Sequence, residues 1–257
     1  MSTLQTSPLP TGLDWGRHAL FLDFDGTISP IVPRPDDAAL ADGVAEMLQR
    51  ALELTGGAVA VLTGRALSDV LPRLAPLDLA ASGSHGVEMR MPGRPVAGVG
   101  PAGKALEAPF QALSDFAREY GLLVERKPGS IALHYRSAPD LADKVHTVVE
   151  AALLRGGKEL RALHGNKVSE IALAGIDKGT ALRRMMERPP FAGRTPIMVG
   201  DDVTDEDGFR AAQDLGGAGI RIGGEQTLAR HHLAEIGDFL AWLAAETRTD
   251  DKKLKKG

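Results

Sequence analysis

The chain has 257 residues, 43% hydrophobic and 25% charged, enough for one large or two modest globular domains. A net charge of −4 is too small to direct it to a strongly charged partner, and no apolar run approaches the roughly 18 residues of a membrane span, so neither nucleic acid nor membrane is expected. The absence of cysteine excludes disulfides, thiolate chemistry and cysteine zinc sites, and fits a cytoplasmic protein.

Residues 1–16 lack the basic region and apolar core of a signal peptide and read as a flexible lead-in. The apolar run Ala19 to Leu22 then enters Asp23-Phe24-Asp25-Gly26-Thr27. Such a run suits a parallel strand buried on both faces, and sheets of that kind place ligands beyond the carboxyl ends of their strands. Strand alternation aims Asp23 and Asp25 at one spot and turns Phe24 away, an arrangement that calls for a cation between the carboxylates. Leu40 to Leu52 carries a helical apolar face, Ala58 to Leu62 reads as a strand ending at Thr63-Gly64-Arg65, and Leu67 to Leu74 reads as a second helix. The Thr63 hydroxyl and the amides of Gly64 and Arg65, at a helix N-terminus, suit an anionic oxygen.

From about Pro101 to Gly175 the pattern changes to helix, two strands, helix, two strands, with short turns at Pro128-Gly129 and Gly165-Asn166 that make antiparallel hairpins. Its strands alternate, so one sheet face packs on the helices while the other stays polar and carries Glu125, Lys127, His134, Arg136 and Glu170. Lys178 follows Asp177 and opens a helix; a lysine in a first turn opposes the helix macrodipole, which points to an anion. Thr195 to Val199 reads as a strand ending at Gly200-Asp201-Asp202-Val203-Thr204-Asp205-Glu206-Asp207. Five acids in seven positions exceed what capping needs and suit a hard divalent cation, Mg²⁺, which takes few carboxylates and leaves sites for phosphate oxygens. The strand Ala218 to Ile222 and a helix around Phe239 to Leu243 complete a parallel doubly wound α/β core, and the lysine-rich 247–257 reads as a flexible tail. Expected boundaries are 1–103 and 176–246 for the core and 104–175 for an inserted α+β unit. An acid nucleophile, a second acid, a hydroxyl, a lysine and a magnesium site together suit phosphoryl transfer.

These residues, in this order, resemble the motifs of the haloacid dehalogenase-like phosphatases: Asp23 to Thr27, Thr63, Lys178, and the pair Asp201 and Asp202. The insert is similar to the family's C2-type cap on a Rossmann-like core. Within that superfamily, Gly83 to Glu88, Glu125-Arg126-Lys127, His134-Tyr135-Arg136, Glu170 and Gly200 to Glu206 are similar to the trehalose-6-phosphate phosphatases. The resemblance implies that Asp23 attacks phosphorus to form an aspartyl-phosphate and that Asp25 is acid, then base. It implies Mg²⁺ held by the Asp23 carboxylate, the Asp25 backbone carbonyl and Asp201, with Asp202 and Asp205 orienting or completing the shell, and Thr63 and Lys178 on phosphoryl oxygens. Glu125, Lys127 and Glu170, with His134 and Arg136 secondary, would grip the sugar; His85 and Glu88 would touch either substrate or hinge, with hinges near residues 100–104 and 174–176. A monomer acting on a small sugar phosphate is expected. Related enzymes acting on sucrose-phosphate or mannosylglycerate-type substrates, a phosphomutase and a non-catalytic sugar-phosphate sensor are the rival readings.

Overall fold

The structure is a computed structural model that describes residues 7–98, 104–165, 167–224 and 226–249. Residues 100–103 of the hinge expected at 100–104, Asn166 of the second hairpin turn, residues 1–6 of the lead-in and residues 250–257 of the tail lie outside these. The chain divides into two compact units, Met1–Val96 with Asp177–Gly257, and Ala97–Ile176.

The first unit holds a seven-stranded sheet in the order β11-β10-β9-β1-β2-β3-β4. Its strands are β1 (His18–Leu22), β2 (Val59–Leu62), β3 (Ala80–Gly83), β4 (Glu88–Arg90), β9 (Thr195–Gly200), β10 (Ala218–Ile222) and β11 (His231–Leu233), parallel except for β4, which runs antiparallel to β3. The central strands are buried along nearly their whole length because helices cover both faces. On one face α1 (Val44–Leu54), α2 (Leu67–Leu74) and α7 (Ile236–Thr249) pack Leu48, Val70, Phe239 and Leu243 against Leu20, Leu22, Val59, Val61 and Val199. On the other, α5 (Lys178–Met186) and α6 (Glu206–Asp214) pack Leu182, Met185 and Phe209 against Ala19, Phe21, Ala58, Ala60 and Met198. The chain passes from β1 to β2 on one side and later returns as β9 on the other, so a topological switch point lies between β1 and β9. Ligand crevices in such sheets form there.

The second unit comprises α3 (Glu107–Tyr120), β5 (Leu123–Lys127), β6 (Ser130–His134), α4 (Ala142–Gly156), β7 (Leu160–Gly165) and β8 (Val168–Leu173). Its antiparallel sheet runs β5-β6-β8-β7. Ile131, Leu133, Ile171 and Leu173 meet Leu113, Ala117, Val145 and Val149 of the two helices in a separate core.

Three expectations are corrected. Leu40 lies before α1, which starts at Val44 after Gly43, whose left-handed backbone (φ 76°) ends the approach to the helix. Residues 7–16 are not loose: Trp15 is fully buried, its indole donates to the Glu246 carbonyl, and the buried Glu246 carboxylate accepts the amides of Gly12 and Leu13. The described part of the tail, residues 247–249, completes α7, with Thr247 buried.

Candidate active site

The switch point gathers the acidic and basic residues. Asp23 follows β1, Thr63 follows β2, Asp201 follows β9, and Lys178 is the first residue of α5. A capping box starts that helix: the Asp177 carboxylate accepts the Thr180 N–H at 2.7 Å, and the Thr180 hydroxyl accepts the Asp177 N–H at 2.9 Å. The cap carboxylate offsets the positive helix end beneath Lys178. The Lys178 side chain, 3% exposed, donates to Asp23 Oδ1 and Asp205 Oδ1, each at 2.6 Å. Asp205 is fully buried, and its other oxygen accepts the amides of Asp201 and Asp202 at 3.1 and 3.0 Å. One carboxylate thereby fixes both the lysine and the loop after β9.

Asp23, Asp201 and Asp205 each present an oxygen within 4.8 Å of the others. Burial pushes the Asp23 carboxyl up to about 8, with Lys178 opposing the shift and Asp205 adding to it. Burial also raises Asp201 to about 6, reinforced by Asp205 and Asp202. For Lys178 burial disfavours the ammonium, but its two carboxylate partners outweigh that and hold it above its ordinary value. Asp201 Oδ1 is buried without a hydrogen-bond partner. Three clustered carboxylates, two of them bonded to Lys178 and the third, Asp201, with an orphaned buried acceptor, are a set of hard oxygen donors that fits Mg²⁺. Close packing holds the arrangement: Gly26 has φ +73°, and a Cβ there would overlap the Asp201 carboxylate.

A cavity of about 450 Å³ is lined by Asp23, Asp25, Asp201, Asp202, Lys178, Gly64, Arg65 and His85. The expected residues divide within it. Asp23 and Asp25 both reach the cavity but do not converge on one partner. β1 ends at Leu22 and the chain turns, with the Ile28 and Ser29 amides bonded to the Phe24 carbonyl, so strand alternation stops before Asp25. Asp25 is gripped by Arg65 on both oxygens, Nε to Oδ2 at 2.7 Å and Nη2 to Oδ1 at 2.8 Å. Asp202 accepts the Val203 N–H at 2.7 Å and caps the turn at 203–205; it stands outside the three-carboxylate group, and Asp205 stands inside it.

Thr63 is buried, and its hydroxyl accepts the Arg65 N–H at 3.1 Å. The second helix spans Leu67–Leu74 as expected, so the Gly64 and Arg65 amides lie before its first turn. Its cap comes from elsewhere: Glu88, on β4, accepts the Leu67 N–H and the Ser84 hydroxyl, each at 3.0 Å. Glu88 is not among the residues lining the cavity; its carboxylate is engaged in this cap. His85 does line it, with its ring over Gly64, where a Cβ would lie 2.6 Å from the imidazole. Ser84 and His85 both adopt left-handed backbone, φ 49° and 57°, strain of the kind stored at functional sites.

In the second unit the register aligns Glu125, Ala132, Glu170 and Leu163 in one row across the open sheet face. His134 Nε2 lies 3.1 Å and Lys127 Nζ 3.7 Å from the Glu125 carboxylate. The face therefore clusters the Glu125 carboxylate, the His134 imidazole and the Lys127 ammonium from two neighbouring strands. Two roles have no signal in the local sequence pattern, the grip of the Arg65 side chain on Asp25 and the capping by Glu88, because both arise from contacts distant in the chain.

The sequence profile of the trehalose-phosphatase family matches residues 21–234. A probable trehalose-phosphate phosphatase of Sinorhizobium fredii is 40% identical over 223 residues, covering 84% of this chain and 81% of that protein. The trehalose-6-phosphate phosphatase of Escherichia coli is 33% identical over 238 residues, covering 92% and 89%. Among solved structures, trehalose-6-phosphate phosphatase of Aspergillus fumigatus aligns with a TM-score of 0.73 at 25% identity, over 91% of this chain and 93% of that one. With the profile spanning both halves of the core and the inserted unit, the chain belongs to the trehalose-phosphatase family.

Proposed function

We propose that this phosphatase hydrolyses trehalose 6-phosphate to trehalose and phosphate through an aspartyl-phosphate on Asp23. The observation that carries the chemistry is the buried Asp23–Lys178–Asp205 network beside Asp201 in the cavity at the switch point. Asp23 attacks phosphorus, the bond from phosphorus to the sugar oxygen breaks, and Asp25 gives its proton to that oxygen as trehalose leaves. Water then attacks the aspartyl-phosphate, Asp25 takes the water proton, and phosphate departs with Asp23 restored. Lys178 neutralises charge on the phosphoryl oxygens, and Asp205 holds it on target. Asp23, Asp201 and the Asp25 carbonyl would hold Mg²⁺, which supplies positive charge to offset the repulsion between a dianionic phosphate and the attacking carboxylate.

Trehalose offers many hydroxyls and no charge, so its recognition calls for bidentate polar side chains. The open sheet face supports this role with Glu125, Lys127 and Glu170, and with His134 oriented by Glu125. A site built for hydroxyls rejects substrates that lack them. A phosphate-release panel of trehalose 6-phosphate, sucrose 6-phosphate and glucose 6-phosphate, with and without Mg²⁺, tests the reading. Trehalose 6-phosphate is expected to be the preferred substrate, with loss of turnover in EDTA and in Asp23→Asn. Equal rates on glucose 6-phosphate would overturn the substrate assignment, and an active Asp23→Asn variant would overturn the nucleophile.

A further inference from the structure

Arg65 lies in the cavity wall, where a cation invites assignment to the substrate phosphate, but its hydrogen bonds point elsewhere. Two donors grip Asp25, and Nη1 donates to Asp69 Oδ2 at 2.7 Å and to the Pro35 carbonyl at 3.0 Å. The guanidinium side chain is 14% exposed and lies over the ring of Phe24, 5.6 Å from its centroid. Its backbone is held as well: the amide by Thr63, and the carbonyl by the Ser84 N–H at 2.8 Å. The charge of Arg65 is already matched by two carboxylates, Asp25 and Asp69, and Asp69 is itself shared with Arg73 at 2.9 Å. Little of that charge remains to attract a phosphate.

A planar fork anchored on Asp69, Pro35 and Phe24 fixes both the position and the plane of whatever carboxylate it holds, which a lysine ammonium on a flexible stem does not do. A carboxylate has about four lone-pair sites and a bidentate arginine occupies two, so Asp25 keeps acceptor positions for a proton travelling to or from a sugar oxygen or water. We infer that Arg65 is a positioning residue for Asp25, setting the geometry of proton transfer, and is not a ligand of the substrate phosphate. This rests on the reading of Asp25 as acid and base.

The test compares Arg65→Lys, Arg65→Met and Asp69→Asn with wild type and Asp25→Asn, as full chains with Mg²⁺, on trehalose 6-phosphate and p-nitrophenyl phosphate. Trehalose leaves as a poor leaving group that needs the proton; p-nitrophenolate does not. The expected result for both Arg65 variants is a fall in kcat on trehalose 6-phosphate of about 10²-fold or more, the scale of general acid–base catalysis, with KM changed by no more than about threefold. On p-nitrophenyl phosphate they should release one equivalent of nitrophenolate at close to the wild-type rate and then turn over slowly, because water activation also needs Asp25. Asp69→Asn should show the same pattern more weakly, since it loosens the fork without touching Asp25. A raised KM at unchanged kcat, an equal loss in the p-nitrophenyl burst, or full activity of Arg65→Lys would each overturn the inference. If Asp25→Asn itself lacks this pattern, the acid–base reading falls and the role of Arg65 falls with it. If Asp25→Asn shows it and the Arg65 variants do not, the inference about Arg65 alone fails.

Discussion

Buried charge at Asp23 and Asp201 links the site to the stability of the protein. In the metal-free protein Asp23 holds its proton up to about 8, against 3.8 as its ordinary value, and Asp201 up to about 6. The folded state therefore binds protons that the unfolded chain has released, and stability falls with rising pH wherever that holds. The contribution is fully present below about 3.8 and is lost as pH rises through 6 for Asp201 and 8 for Asp23. Melting in EDTA should show the midpoint falling from about pH 5 to about pH 8, with a smaller fall in Asp23→Asn and near-flat behaviour in saturating Mg²⁺, since a cation favours the ionised carboxylates. A midpoint that rises over this range in EDTA would contradict the buried-carboxylate account. The motif itself carries Asp23, Asp201 and Lys178; what Asp25 and Asp205 touch depends on residues 40 and 27 positions away.

Among the elements, α2 depends on a residue that is not its own. Ala66 at its N-cap offers no side-chain acceptor, and Glu88 supplies one from β4. Glu88→Ala should cost about 0.5–2 kcal/mol, the range of a lost helix cap, read as a lower urea midpoint with KM for the sugar phosphate unchanged. A raised KM with unaltered stability would return Glu88 to the substrate. The strands β1, β2, β9 and β10 are legible as apolar runs because burial on both faces demands continuous hydrophobicity. β3, with the sequence Ala-Ala-Ser-Gly, is not: its small residues have weak strand propensity, and it pairs because β2 and β4 lie on either side. β4 and β11, three residues each, are too short for any period to show. In the inserted unit alternation makes the face of Glu125 and Glu170 legible, whereas their alignment through Ala132 is a matter of register.

At the scale of the molecule, the first described residues are part of the core of the first unit. Trp15 is fully buried and bonded to the Glu246 carbonyl, and Trp242 donates to the Pro10 carbonyl at 2.8 Å. Trp15→Ala should therefore cost about 3–5 kcal/mol, as large-to-small core changes do, and removal of residues 1–16 should lower the urea midpoint at least as far. An unshifted midpoint would restore the flexible lead-in. A sixteen-residue segment with Gly, Pro and Ser and no periodicity looks loose because its partners sit more than 200 residues away on α7. By itself the sequence determined the parallel core, the inserted antiparallel unit and the residue types of the site, because hydrophobic period and the chemistry of acids beside glycine are local properties. Only the tertiary structure decided which carboxylates share Lys178, that Arg65 serves Asp25, that Glu88 caps a helix and that the N-terminal segment is anchored. Each is a pairing between residues distant in the chain, and no local pattern encodes the partner of a charge or a hydrogen bond.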